Sequence, residues 1–237
     1  MKNLSGKTAL ITGASSGIGL AITQVLLVQQ CRVIGIARDF SKADIQNELF
    51  ESFNQDLTDL NKTSELIKKL IKDHNVDFFI HSAGSGLFGS IEQFSVKQID
   101  QYIKSNLSSA LVISHHIVPA MRKNKSGRII FIGSESAINA GKKGTLYSSA
   151  KFGIRGLALA LREDCSKDGI NVSLINPGMV KTPFFDNQNF QPGGDTSNYI
   201  TPQDIAETVL HILQSNPDIV LGEINISPRN KSITFKA

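Results

Sequence analysis

Tyr147 and Lys151, four positions apart in the run Tyr147-Ser148-Ser149-Ala150-Lys151, are the residues of this chain best suited to moving a proton. If the segment is helical, their side chains share one face, a turn apart. A free tyrosine, with a pKa of about 10, is a poor acid–base group at neutral pH. A cation beside it favours the phenolate and lowers the cost of moving the proton. The same spacing is common on ordinary helix surfaces, so the pair gains meaning only from what other segments bring to it.

A second kind of chemistry is suggested near the start of the chain. Thr8-Ala9-Leu10-Ile11 is a short apolar run, Gly13-Ala14-Ser15-Ser16-Gly17-Ile18-Gly19 a glycine-rich turn, and Leu20 to Gln29 a helical pattern. A turn between the first strand and the first helix presents backbone N–H groups and a helix N-terminus to an anionic pyrophosphate. Gly13, Gly17 and Gly19 are suited to the tight bend, the close approach and the helix packing respectively. The run from Arg32 to Ala37 reads as the second strand and completes a βαβ unit. At its end an acid accepts from a ribose 2′-hydroxyl, whereas an arginine suits a 2′-phosphate. Ala37-Arg38-Asp39 offers both chemistries.

The elements that must position these groups follow from hydrophobic periodicity. Phe53 to Leu57 reads as a third strand, with Asp56-Leu57 at its end. Asp59 to His74 is an amphipathic helix with Leu66, Ile67, Leu70 and Ile71 on one stripe. Val76 to His81 is a strand buried on both faces, broken at Ser82-Ala83-Gly84. A helical region from about Phe94 through Met121 contains Asn106, His115 and His116. Adjacent histidines on a helix point in different directions, so these read as packing or surface residues. Gly127 to Ser134 is a strand, Thr145 to Lys167 a long helix, and Ile170 to Ile175 a strand ending in Asn176-Pro177-Gly178. Pro202 to Gln214 is a helix with Thr201 as N-cap, and Ile219 to Ile226 a last strand.

Alternating strands and helices with no linker, repeat or low-complexity tract imply one α/β domain over residues 1–237. It is expected to be a Rossmann-type, doubly wound parallel sheet of about seven strands with helices on both faces. Ligands then bind at the carboxyl ends of the strands. The glycine turn, Ser82-Ala83-Gly84, Ser134 and Asn176-Pro177-Gly178 all fall there.

The chain has 41% hydrophobic and 19% charged residues and a formal net charge of +4, values of a soluble globular protein. Its densest basic groups, Arg122-Lys123-Asn124-Lys125 and Lys142-Lys143, are short and free of interleaved aromatics, which argues against a nucleic-acid surface. Cys31 and Cys165 have neither metal-site nor disulfide spacing, and the opening Met1-Lys2-Asn3-Leu4 leads straight into a strand signal. A cytoplasmic protein with no membrane span, signal peptide or metal is the expectation.

Taken together, these segments resemble the short-chain dehydrogenase/reductase family from Lys7 to about Ile226. The cofactor turn is similar over Thr12-Gly13-Ala14-Ser15-Ser16-Gly17-Ile18-Gly19, and the Tyr-x-x-x-Lys pair over Tyr147 and Lys151, with Ser134 thirteen residues before the tyrosine. Asn106 matches the family asparagine, and the segment from Asn176 through Gly178 and Val180 to Thr182 resembles the motif beside the nicotinamide. The resemblance implies an oxidoreductase interconverting a carbonyl and an alcohol. Ser134 would bind the substrate oxygen and Tyr147 protonate it. Lys151 would bind the nicotinamide ribose and lower the tyrosine pKa, and Asn106 would hold a water linking Lys151 to solvent.

In the family's register the acid typical of NAD-type members falls on Ala37, with Arg38 next, so the resemblance implies NADP(H) as preferred cofactor, NAD(H) being possible, and Asp39 turned away. Asp56 and Leu57 match the adenine contacts; Ser82, Ala83, Gly84 and Pro177 complete the expected cofactor wall. Two departures stand out. His81-Ser82-Ala83-Gly84 replaces Asn-Asn-Ala-Gly, leaving Ser82 to replace the asparagine's hydrogen bonds, and the ending Glu223 to Pro228 is similar to the branch with hydroxy-acid and serine-type dehydrogenases. A 3-oxoacyl-type reductase is an alternative. A non-catalytic dinucleotide-binding regulator is disfavoured, since such proteins generally lose the tyrosine or lysine.

Substrate choice is expected to lie in the loop at about 184–200, where Phe184, Phe185, Phe190 and Tyr199 either line an apolar pocket or pack the loop, and Gly193-Gly194 permits motion. Lys142 and Lys143 read as surface charge. The family resemblance also implies a homodimer or homotetramer built on the helices at about Asn106–Met121 and Thr145–Lys167.

Overall fold

A computed structural model describes residues 3–236; Met1, Lys2 and Ala237, at the ends of the expected domain, lie outside the described residues. The apolar runs become strands β1 (Thr8–Thr12), β2 (Arg32–Ala37), β3 (Phe50–Asn54), β4 (Phe78–His81), β5 (Gly127–Ile132) and β6 (Ile170–Pro177). Three more strands follow, β7 (Phe190–Pro192), β8 (Glu223–Ile226) and β9 (Ile233–Phe235). Seven of them form a parallel sheet in the order β3-β2-β1-β4-β5-β6-β8, while β7 and β9 pair antiparallel as a separate ribbon. Strand order reverses between β1 and β4, which opens a crevice at their carboxyl ends.

The helices are α1 (Gly17–Val28), α2 (Leu60–Asp73), α3 (Val96–Ile103), α4 (Ser109–Asn124), α5 (Thr145–Cys165) and α6 (Pro202–Gln214). Ile22 and Leu26 of α1 and Val209 and Ile212 of α6 cover one face of the sheet. Ile67 and Leu70 of α2, Ile113 and Ile117 of α4, and Ile154 of α5 cover the other. The central strands are therefore buried on both faces, as their unbroken apolar sequences require. Asp59 caps α2 by accepting from the Lys62 N–H, and Thr201 caps α6 in a reciprocal box with Asp204.

Several boundaries differ from the sequence expectation. The third strand lies at Phe50–Asn54, not Phe53 to Leu57. Asp56 ends it early, since its Oδ1 accepts from both the N–H and the hydroxyl of Thr58 and folds the chain into a turn. Leu57 is then buried from that turn among the residues under α2 and α4. The last sheet strand begins at Glu223, leaving Ile219 and Val220 exposed. The helical region from Phe94 to Met121 is α3 and α4 joined through a π-helical turn at Lys104–Ser108. The β7–β9 ribbon was not anticipated: three-residue strands carry almost no local signal.

No helix of the described residues is long and apolar enough to cross a membrane. Among those residues no cluster of three or more His, Cys, Asp or Glu has metal-ligand geometry, and Cys31 and Cys165 are free and buried.

Candidate active site

Tyr147 and Lys151 occupy the first two turns of α5 and face the sheet, each about 9% exposed. The Lys151 ammonium donates to the carbonyl of Ile132, the last residue of β5, at 3.0 Å, and stands 5.9 Å from the centre of the Tyr147 ring. Ser134 follows β5 in extended conformation, its Oγ accepting from the Ser136 N–H at 3.1 Å. Burial pushes the Tyr147 phenol up to about 12, the adjacent Ser134 hydroxyl pulls it back, and the Glu135 carboxylate adds to the rise. Burial pulls Lys151 down to about 8. Ser134 is thus the partner that opposes the rise of the tyrosine, while the lysine head group is directed to the Ile132 carbonyl.

Asn106 sits in the π-helical turn and is buried. Its side-chain amide donates to the Tyr102 carbonyl at 3.0 Å and to Ser105 Oγ at 2.9 Å, and its oxygen accepts from the Ser85 N–H at 2.9 Å. Tyr102 adds a second tie, donating to the Ser85 carbonyl at 2.7 Å. Asn106 thus fastens the start of α4 to the loop after β4. Gly84 separates it from the lysine: a Cβ there would lie 3.0 Å from Asn106 Oδ1 and 3.7 Å from Lys151 Nζ. Asn106, Ser134, Tyr147 and Lys151 therefore come from three segments, the π-helical turn, the end of β5 and α5, to one corner of the crevice.

The glycine turn forms the neighbouring wall. Gly13 has φ +71°, and a Cβ there would stand 2.9 Å from the Ala83 backbone, so the turns after β1 and β4 are in contact. At Gly19 a Cβ would run into the Gly13 carbonyl, which keeps α1 close to the end of β1. Gly17 opens the helix opposite Thr182, whose side chain is 3.3 Å from the Cβ position. Ser15 and Ile18 are half-buried in this turn, whereas Ser16 is exposed and caps α1 with no side-chain hydrogen bond. α1 also has no acid in its first turn, unlike α6. A cradle without room for side chains, leading into an uncapped helix N-terminus, fits a dinucleotide pyrophosphate.

At the end of β2, Ala37 is buried and Arg38 exposed. The Asp39 carboxylate is taken by the backbone and hydroxyl of Ser41, at 2.8 and 2.7 Å, which also holds its pKa below the usual range. Beyond β6, the Gly178 N–H that follows Pro177 donates to the Ile226 carbonyl at 2.7 Å, and Val180 bridges to Ile200. Thr182 Oγ1 accepts from the Phe184 N–H at 3.3 Å.

The expected replacement of an asparagine by the Ser82 hydroxyl is corrected. Ser82 contributes its backbone N–H to the Thr12 carbonyl at 3.2 Å, while the side-chain link belongs to His81. His81 Nδ1 lies 3.0 Å from Thr12 Oγ1, which itself accepts from the Ala83 N–H at 3.2 Å. The imidazole and the threonine thus join β1 to β4 directly under the crevice. Burial depresses His81 to about 3, so it stays neutral at physiological pH. The signal for it was present in the sequence, a histidine where the family motif has its first asparagine.

On the far side, Phe184 lies 6.0 Å from Tyr147 between ring centres, and Phe185 and Phe190 are 5.7 Å apart behind it. Phe88, which sequence reasoning missed, is nearer still, 4.9 Å from Tyr147. Tyr199 is elsewhere, under the Lys181 ammonium at 4.7 Å. Gly193 is not a free hinge: its N–H donates to the Ser232 carbonyl at 3.0 Å. Lys142, Lys143 and His115 are exposed, whereas His116 is half-buried, its Nε2 lying 2.8 Å from Ser64 Oγ.

Comparison with known proteins agrees with this arrangement. A family model described as short chain dehydrogenase matches residues 7–192. An uncharacterized oxidoreductase of Staphylococcus saprophyticus subsp. saprophyticus is 32% identical over 241 residues, covering 96% of this chain and all of that protein. Another from Staphylococcus aureus strain USA300 is 31% identical, again over 96% of this chain. Among solved structures, a metagenomic short-chain oxidoreductase in complex with NADP aligns with a TM-score of 0.82 and 28% identity over 96% of this chain and 99% of that one. A serine dehydrogenase from Escherichia coli shares the fold, with a TM-score of 0.79 and 24% identity over 92% of this chain and 96% of that one. The chain belongs to the short-chain dehydrogenase/reductase family and is an oxidoreductase acting on CH–OH groups.

Proposed function

We propose that the protein interconverts a carbonyl and a secondary or primary alcohol with NADP(H), NAD(H) serving less well, through Ser134, Tyr147, Lys151 and Asn106. The convergence of these four side chains beside the glycine turn carries the reading. Bound nicotinamide supplies hydride chemistry. Ser134 orients the substrate oxygen, and Tyr147, kept protonated by burial, delivers its proton in the reduction direction. Lys151 binds the nicotinamide ribose, and Asn106 holds the loop at Gly84 and Ser85 in place beside it.

The pyrophosphate falls to Gly13, Ser15, Ser16, Gly17, Ile18 and Gly19, and the nicotinamide side to Pro177, Gly178, Val180 and Thr182. Arg38 faces the 2′-phosphate. Its exposure, the buried Ala37 and the prior engagement of Asp39 by Ser41 support that choice. The metagenomic relative bound to NADP supports it as well. Assembly as a homodimer or homotetramer through α4 and α5 fits the exposed Leu111, Phe152 and Leu159 on those helices, and the free cysteines suit the cytoplasm.

The decisive experiment pairs Tyr147→Phe with both nucleotides. The variant should lose at least about 10²-fold in turnover, the lower end of the usual contribution of acid–base catalysis, while NADPH affinity stays within about twofold. Retained activity, or a kcat/KM higher with NADH than with NADPH in the parent, would contradict the corresponding part of the reading.

A further inference from the structure

The loops that follow β4 and β6 meet over the Tyr147 ring, and both bring phenylalanines. Phe88 lies 4.9 Å from it at an interplanar angle of 38°, and Phe184 6.0 Å away at 65°. Phe190 stands edge-on to Phe88 at 5.1 Å. Exposure sorts the rings: Phe88, Phe184 and Phe190 are half-buried, whereas Phe185 behind them is buried. A ring that only fastens the loop would be covered on all sides; these three each keep a free portion.

The wall is held in place on both sides. Gln188 Nε2 donates to the Gly86 carbonyl at 3.1 Å, bridging the two loops, and Phe190 is fixed by pairing with Phe235 across the β7–β9 ribbon. A Cβ at Gly86 would stand 2.6 Å from the tip of the Phe184 ring and 2.8 Å from Phe88, so both rings approach the main chain closely there. A carboxylate stands beside this wall. Glu135, next to Ser134, faces Gly178 and is paired with Lys231 at 2.7 Å.

We infer that this wall selects an uncharged carbonyl compound bearing an aromatic or similarly flat apolar substituent, and disfavours 2-oxo and hydroxy acids. The inference rests on the carbonyl-reductase reading above. A flat ring finds partners at the offset and edge-on separations the phenylalanines already adopt among themselves. A carboxylate would be desolvated next to Glu135, with Lys231 engaged by Glu135 and Lys151 by the Ile132 carbonyl.

Four compounds separate ring from charge: methyl benzoylformate, benzoylformate, methyl pyruvate and pyruvate. Affinity is measured calorimetrically on the NADPH-loaded Tyr147→Phe protein, and turnover on the parent. Methyl benzoylformate should bind at least about tenfold more tightly than methyl pyruvate, the smallest discrimination expected of an apolar pocket, and more tightly than benzoylformate. Phe88→Leu should shrink the ring preference by roughly 3- to 10-fold while methyl pyruvate is unchanged. Glu135→Gln should shrink the penalty on benzoylformate. Equal affinity for the two esters, or tighter binding of either anion, overturns the inference. The expected order of affinities with no turnover of any of the four, with NADPH or NADH, would uphold the pocket and overturn the carbonyl-reductase reading.

Discussion

The nucleotide side and the substrate side of the crevice are built by different means. The nucleotide side is local: Gly13, Gly17 and Gly19 lie within one turn, and that turn touches Ala83 because β1 and β4 are neighbours. The substrate side is assembled from a distance. Gln188 reaches Gly86, Phe190 pairs with Phe235, and Lys236 Nζ reaches the Asp186 carbonyl at 3.0 Å. A local device is fixed by residue type at fixed spacing, whereas a long-range one depends on which segments happen to meet. The first therefore breaks at a single residue, and the second loosens gradually.

The largest break in this contrast is expected from Gly13→Val. A branched side chain at φ +71°, with Ala83 backbone 2.9 Å from its Cβ, combines strain and overpacking. A destabilisation of about 3–5 kcal/mol is expected, with loss of measurable NADPH binding. Denaturant melts and nucleotide fluorescence would record both; a variant that binds NADPH normally would show that the turn is not the rigid local unit described.

Lys151 stands where the two sides join, and its burial makes a pH-dependent prediction. Its folded value of about 8 lies below the ordinary 10.5, so between those values the unfolded chain holds the extra proton. Stability should rise with pH in that window, and Lys151→Met should remove the rise. Relative to the variant, the parent should gain up to about 3 kcal/mol between pH 8 and 10.5. Parallel stability curves for the two proteins would mean that the lysine is not desolvated.

The smallest effect tests the long-range side. Truncation after Arg229 removes β9 and the Lys231–Glu135 pair. NADPH affinity should hold within about twofold while KM for the carbonyl substrate rises about 5- to 10-fold, because ordering the loop at 184–190 must then be met at binding. A proportionate loss of nucleotide affinity would erase the distinction between the two sides.

Legibility in the sequence followed the same division. The parallel sheet, the glycine turn and the Tyr147–Lys151 pair were readable because each is encoded by a local period or spacing. Phe184 and Phe190 were readable as candidates, but their partner Phe88 was not, since nothing in the sequence states that the loops after β4 and β6 converge. Tyr199 was misgrouped for the same reason, lying close in sequence yet packed against Lys181. His81 was passed over because its role depends on Thr12, which only strand pairing brings beside it.

The π-helical turn at Lys104–Ser108 has a consequence for how this chain tolerates length change. Such a turn inserts one residue into an otherwise α-helical path, and each residue of an α-helix advances the chain by about 100° around its axis. Ala110, Ile113 and Ile117 anchor α4 to the sheet, so a one-residue deletion inside the turn would be absorbed by its reversion to α-helix, with α3 and α4 nearly in register. A deletion of one residue inside α4 has no such reserve and would turn Asn106 by about 100° away from Ser85 and Gly84. Removing Ser108 should therefore be tolerated far better than removing Leu111, with every chemically active side chain still in the sequence.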